Sequence, residues 1–135
     1  MLAACKLYDM YLYAHYCNVG VVQTFWDIEK AFGTTAKDCR FIGYWTADAT
    51  AVAGLAPGVK SSYYVRPGKG ALVYLTNFNP DRQDVSCRLD FKRWDLGAFR
   101  AVDAETAQAL SAPAGALNLA IERHDFRLLR LEKEP

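Results

Sequence analysis

The chain has 135 residues, of which 52% are hydrophobic and 23% charged. That balance belongs to a folded protein long enough to bury a core, sized for one domain or for one domain with a remnant of another. A net charge of +1 and a pI of about 7.6 provide no global field for polyanions. The basic residues, among them Lys60, Arg66, Arg82, Arg88 and Arg93, are scattered as on a solvated surface, so no nucleic-acid partner is expected.

No stretch reaches the roughly 18 apolar residues of a membrane span. A charged n-region and an apolar h-region are missing, so neither a membrane segment nor a signal peptide is expected. Leu2-Ala3-Ala4-Cys5 has the letters of a lipobox, but no hydrophobic segment stands before it. The compartment stays open. Cys5, Cys17, Cys39 and Cys87 include no C-x-x-C pair, and His15 and His124 are the only histidines. A zinc site needs clustered ligands, so no metal and no cofactor is expected. The thiols read as free and mostly buried.

Residues 2–17 are apolar and aromatic, and their periodicity fits a buried strand followed by a loop as well as a helix. Residues 19–32 read as a helix. Asn18 is its N-cap, Gly33 its C-terminal cap, and Val21, Phe25, Ile28 and Phe32 form one apolar face. The helix needs a partner surface for Phe25, Trp26 and Phe32. Residues 34–59 form a connector with an apolar patch of Phe41, Ile42, Tyr44 and Trp45 and a turn at Pro57-Gly58.

From Lys60 onward the pattern becomes one of strands. A strand over 61–66 leads through the hairpin loop Pro67-Gly68-Lys69-Gly70 into 71–77, which is apolar on both faces as a central strand should be. Asn79-Pro80-Asp81 is a turn. In 84–91, Val85, Cys87, Leu89 and Phe91 alternate with Ser86, Arg88 and Asp90, which marks a half-buried strand. Further strands follow near 98–103, over 117–122 and over 125–132. In the last, the adjacent Leu128 and Leu129 require a bulge or burial on both sides. Short strands with regular turn signals predict a mainly β fold, an antiparallel β-sandwich of about six to eight strands preceded by an N-terminal helical segment.

No self-sufficient active site emerges. Asp9 and His15 could place an acid at a strand end, but a polar loop residue is the simpler reading. Tyr44, Trp45 and the tyrosines at 8, 11, 13 and 16 could stack on sugar rings or serve as core and interdomain contacts. His124-Asp125 lacks a nucleophile elbow and reads as the start of a strand. Asp103-Ala104-Glu105-Thr106 reads as a turn, not as a carboxylate pair flanking a cleft. The ligand-contacting candidates are therefore Asp9, Tyr44 and Trp45, with no catalytic residue.

The run Ser62-Tyr63-Tyr64-Val65-Arg66-Pro67-Gly68-Lys69, followed by Ala71-Leu72-Val73-Tyr74-Leu75-Thr76-Asn77-Phe78-Asn79, resembles the small C-terminal β-sandwich of bacterial glycoside-hydrolase-like proteins of poorly assigned activity. Ala101-Val102-Asp103-Ala104-Glu105-Thr106 and His124-Asp125-Phe126-Arg127-Leu128-Leu129 share the resemblance. It implies that residues 1–45 are a remnant of a preceding (β/α)-barrel, a strand and loop plus the helix 19–32, and that 46–135 form the sandwich. In the family a His tends to precede the Asp at position 9. Tyr8 stands there instead, so no role of that pair is carried over. The implied function is a non-catalytic accessory module that stabilises a catalytic barrel in a secreted or periplasmic parent. The partner would be that barrel or a second copy of the chain. The alternative is a carbohydrate-binding module using exposed aromatics.

Overall fold

The computed structural model describes residues 2–10 and 18–134. The segment that left helix and strand open begins as a helix, α1 (Leu2–Leu7). The strand that the resemblance implies here is not formed. A strand would need a neighbour for its backbone hydrogen bonds, whereas a helix satisfies its own. His15 and Cys17, with Tyr11, Tyr13 and Tyr16, lie outside the described residues.

Helix α2 (Val19–Phe32) has the expected bounds. The Asn18 side chain accepts from the backbone N–H groups of Gly20 (3.0 Å) and Val21 (3.4 Å). At the other end Gly33 takes a left-handed φ of 84°. Its N–H reaches the Lys30 carbonyl, and the Thr34 N–H reaches back to Glu29 at 3.1 Å, which is a Schellman closure. Arg66 adds a donor to the Phe32 carbonyl (3.0 Å) and pairs with Asp38. Lys69 and Arg66 together hold the Asp38 carboxyl down to about 2.

The buried face of α2 differs by one residue from the expected one. Val22, Phe25 and Phe32 are buried, with Ile28 packed beside them, while Val21 is 44% exposed. Trp26, expected to be buried, is 38% exposed. The spacing 22, 25, 29, 32 also puts Glu29 on the inner stripe, a charged position that a search for apolar residues passes over.

Among the described residues nine strands form two antiparallel sheets. They are β1 (Arg40–Ile42), β2 (Val52–Ala53), β3 (Val59–Arg66), β4 (Gly70–Asn77), β5 (Gln83–Leu89), β6 (Phe99–Asp103), β7 (Ala109–Leu110), β8 (Ala116–Ile121) and β9 (Phe126–Lys133). The large sheet has the order β1-β3-β4-β9-β6-β7 and the small one β2-β5-β8. The mainly β class and the antiparallel pairing are as expected. The three shortest strands explain the higher count. The β region also starts earlier than residue 46, because β1 pairs with β3 through Phe41 and Tyr64.

Every residue of β4 is buried. Ala71, Val73 and Leu75 face the small sheet in a core shared with Tyr63, Val65, Leu129 and Leu131. Leu72 and Tyr74 face the other way, into a second cluster with Phe25, Phe32, Tyr64 and Leu128. The order of layers is therefore helix, large sheet, small sheet. Leu128 and Leu129 are buried on opposite sides, in a register with β4 that runs unbroken from Thr76–Phe126 to Gly70–Glu132. Burial on both sides, not a bulge, accounts for the pair. Outside this double cover, β5 keeps its alternation: Val85, Cys87 and Leu89 are buried, and Ser86 and Arg88 are exposed.

Two polar devices lock the layers. Asn77, fully buried at the end of β4, donates through Nδ2 to the carbonyls of Asp81 (2.8 Å), Ile121 (3.2 Å) and Glu122 (3.1 Å) and accepts from the Asn79 N–H (2.9 Å). It ties the large sheet to the ends of β5 and β8. The second device lies under the helices. Lys6, only 3% exposed, pairs with Glu29 at 2.7 Å, and the Tyr74 hydroxyl donates to the same Glu29 oxygen at 2.8 Å. Ser62 completes the dock, donating to the Leu7 carbonyl at 2.8 Å and accepting from the Tyr44 N–H at 3.0 Å. Burial first, then the Glu29 charge, pushes the Tyr74 phenol pKa up, so it stays a donor.

Replacing Asn77 by Ala strips a donor from three carbonyls at once, and urea denaturation should show a loss of about 2–3 kcal/mol; a loss below about 1 kcal/mol would mean that water replaces the amide at no cost. Removing the Glu29 carboxylate strands Lys6 in an apolar layer. Glu29→Ala should therefore cost about 3 kcal/mol, and the Lys6→Met, Glu29→Gln double variant much less, because the pair leaves together and Tyr74 keeps an acceptor. Equal losses in the two variants would show that the stranded Lys6 charge is not the source of the cost.

Candidate functional site

The three candidate residues fall on one side of the molecule, around the segment that leaves α1. Residue 9 follows the helix with φ 57°, a left-handed conformation that Asp tolerates better than most side chains. Tyr64, projecting from β3 on the helical side of the sheet, donates its hydroxyl to the Asp9 carboxylate. Burial is the main cause of the raised Tyr64 pKa, followed by the bond to Asp9 and its charge. At neutral pH the phenol is protonated and fixes the acid as an acceptor.

Tyr44 and Trp45 sit in the turn after β1, which closes with Thr46 N–H donating to the Gly43 carbonyl at 2.9 Å. Tyr8, the neighbour of Asp9, joins them. Its hydroxyl shares a 2.6 Å hydrogen bond with that of Tyr44. Its ring stacks on Trp45 with centroids 5.1 Å apart and planes within 18°. The indole also lies against Gly43, where a Cβ would come within 2.5 Å of the ring. Tyr8 and Trp45 keep 50% and 54% of their surface exposed. One face of each is nonetheless taken up by the other, and the Trp45 ring also meets Gly43. A sugar-stacking platform needs rings lying side by side with free faces, and here the two rings are stacked on one another instead.

On the other side of Asp9, a cleft of about 360 Å³ opens between α1, α2 and β3. Trp26 and Met10 give it an apolar wall. Asp9, Glu29, Lys30 and the Thr34–Thr35 turn bring polar groups, and Lys6 and Tyr64 form part of the lining. Sequence reasoning found Asp9 here and missed Lys6, Glu29, Tyr64 and Tyr74. Glu29 on the apolar stripe of α2 was the available signal. The other three depend on strand and helix meeting, which no spacing reports. A second cleft of about 430 Å³ lies beside Phe91, Phe99 and Gly115 and holds none of the candidates.

The weaker sequence features resolve as local geometry. Asp103 accepts from the N–H groups of Glu105 (3.0 Å) and Thr106 (2.9 Å), an Asx turn, as expected. His124 has φ 54° in the turn between β8 and β9. Cys5, Cys39 and Cys87 are free thiols, of which only Cys87 is buried. Among the described residues, no helix is long and apolar enough to cross a membrane.

Comparison with known proteins adds a family. The family model of the glycoside hydrolase 123 C-terminal domain matches residues 22–114, a span that opens inside α2 and runs through β7, ending before β8 and β9. Among solved structures, the chain is similar to a putative α-N-acetylgalactosaminidase from Bacillus halodurans, with 14% identity and a TM-score of 0.49 over 62% of this chain and 20% of that one. It is also similar to a GH27 β-L-arabinopyranosidase from Geobacillus stearothermophilus solved with arabinose, with 19% identity and a TM-score of 0.45 over 61% of this chain and 19% of that one. The chain thus spans about a fifth of the length of these solved proteins. No curated protein matches it in sequence. Well over half of its residues fall within the family match, and the chain belongs to the glycoside hydrolase 123 C-terminal domain family.

Proposed function

We propose that this chain is a non-catalytic accessory β-sandwich that packs against, and stabilises, the catalytic barrel preceding it in a glycoside-hydrolase-like parent. The observation that carries the reading is where apolar surface stays uncovered. Among the described residues seven large apolar side chains are exposed, and six of them, Tyr8, Met10, Val19, Val21, Trp26 and Trp45, belong to the segment after α1, to α2 and to the turn after β1. Only Phe78 lies elsewhere. All six fall between residues 8 and 45, and exposed apolar groups concentrated in this way mark a contact surface more often than a solvated one. In a C-terminal domain the neighbour at hand is the domain before it. On this reading residues 1–33 form the join to the barrel, and the strands from β1 onward form the module proper.

The second reading is a carbohydrate-binding module gripping sugar through Tyr44 and Trp45. The mutual stacking of Tyr8 and Trp45 speaks against it. Hydroxyl-radical footprinting separates the two readings. Tyr8, Met10 and Trp45 should oxidise readily in the isolated chain and be strongly protected when the chain is produced behind the catalytic domain of a family member. Equal oxidation in both forms would overturn the docking surface. Calorimetric titration with polysaccharides should give no saturable heat that depends on Trp45; binding abolished by Trp45→Ala would put the binding module in its place.

A further inference from the structure

We propose that the cleft between α1, α2 and β3 is a subsite for a single sugar ring. Its volume of about 360 Å³ lies toward the small end of the roughly 300–1,000 Å³ typical of small-molecule sites. A pyranose has two chemical faces: C–H groups that pack on an aromatic or apolar wall, and hydroxyls that donate to carboxylates and accept from ammonium and hydroxyl groups. The cleft presents both. Trp26, 38% exposed, and Met10 supply the wall. Asp9 and Glu29 supply acceptors, and Lys30, Thr34 and Thr35 supply donors.

The two carboxylates are preorganised. Asp9 receives the Tyr64 hydroxyl on Oδ1. Glu29 receives both Lys6 and Tyr74 on Oε1. In each case one oxygen is fixed by the protein, and the other has no protein partner among the described residues. A carboxylate held on one oxygen loses little freedom on binding, which keeps the cost of ordering low. The Lys6–Glu29 pair leaves the cleft near electrical neutrality, with Asp9 set against Lys30. That suits an uncharged polyhydroxylated ligand better than a phosphate or a sulfated sugar.

The test is an NMR titration of the isolated ¹⁵N-labelled chain with glucose, galactose, mannose and the N-acetylated hexosamines. At least one sugar should give saturable shifts at the Trp26 indole N–H and the Thr34 and Thr35 amides, in the millimolar range of a one-ring contact. Trp26→Ala and Asp9→Asn should each weaken binding by about tenfold, and Trp45→Ala should leave it unchanged. Asp9→Asn keeps an acceptor for Tyr64, so its effect is read on a folded chain. No saturable shift up to roughly 100 mM sugar, shifts centred on Trp45, or binding indifferent to Asp9→Asn would each overturn the proposal. Met10 and Trp26 border both surfaces, so the docking surface is judged separately, at Tyr8 and Trp45 with the catalytic domain present, and the sugar titration of the isolated chain does not decide it.

Discussion

The constraint on which the rest depends is the burial of β4 on both faces. A strand carrying Ala71, Val73 and Leu75 on one side and Leu72 and Tyr74 on the other cannot be the surface of a two-layer sandwich. It needs two covers. The small sheet is one, and α2 is the other, with Phe25 and Phe32 set against Leu72, Tyr74 and Leu128. Burying two phenylalanines fully stabilises such a layer by roughly 2 kcal/mol each, and α2 alone is too short to persist in water without that packing. Helix and sheet therefore form a single cooperative unit. This fits a family match that opens within α2.

Polar groups then decide how the layers are aligned. Apolar packing tolerates small slips, but a hydrogen bond does not. Asn77 reaches three carbonyls at the ends of other strands, and its geometry admits one arrangement of the sheet corners. Lys6, Glu29 and Tyr74 do the same for the helices. A buried pair of this kind adds little net stability, because desolvation offsets the attraction. Its effect is to define where α1 stops, and with it where Tyr8, Asp9 and Met10 emerge.

That emergence point is where structure meets function. On one side Tyr8 joins Tyr44 and Trp45 in a self-stacked apolar patch suited to a protein neighbour. On the other, Asp9 lines a cleft of mixed chemistry. Exposed aromatics alone would suggest sugar binding at the patch. Ring geometry redirects the assignment, because two rings stacked on one another have each given up one face and do not form a flat platform. The half-exposed Trp26 beside the carboxylates is the better candidate for that chemistry.

Much of the framework was legible in the sequence because it rests on short-range signals. The caps Asn18 and Gly33 bounded α2 through local backbone chemistry. The alternation of Val85, Cys87 and Leu89 announced a strand with one wet face, and the unbroken apolar run after Gly70 announced a central one. Asp9, Tyr44 and Trp45 were legible as candidates, being unusual residues in their context. Tertiary structure alone decided the remainder: that α2 covers the large sheet through Val22 and not Val21, that Glu29 meets Lys6 and Tyr74, that Tyr64 holds Asp9, and that Trp45 lies on Tyr8. Each of these joins residues dozens of positions apart, or turns on a rotation of one residue about a helix axis. Periodicity along a chain records which face is apolar, but not what stands opposite it.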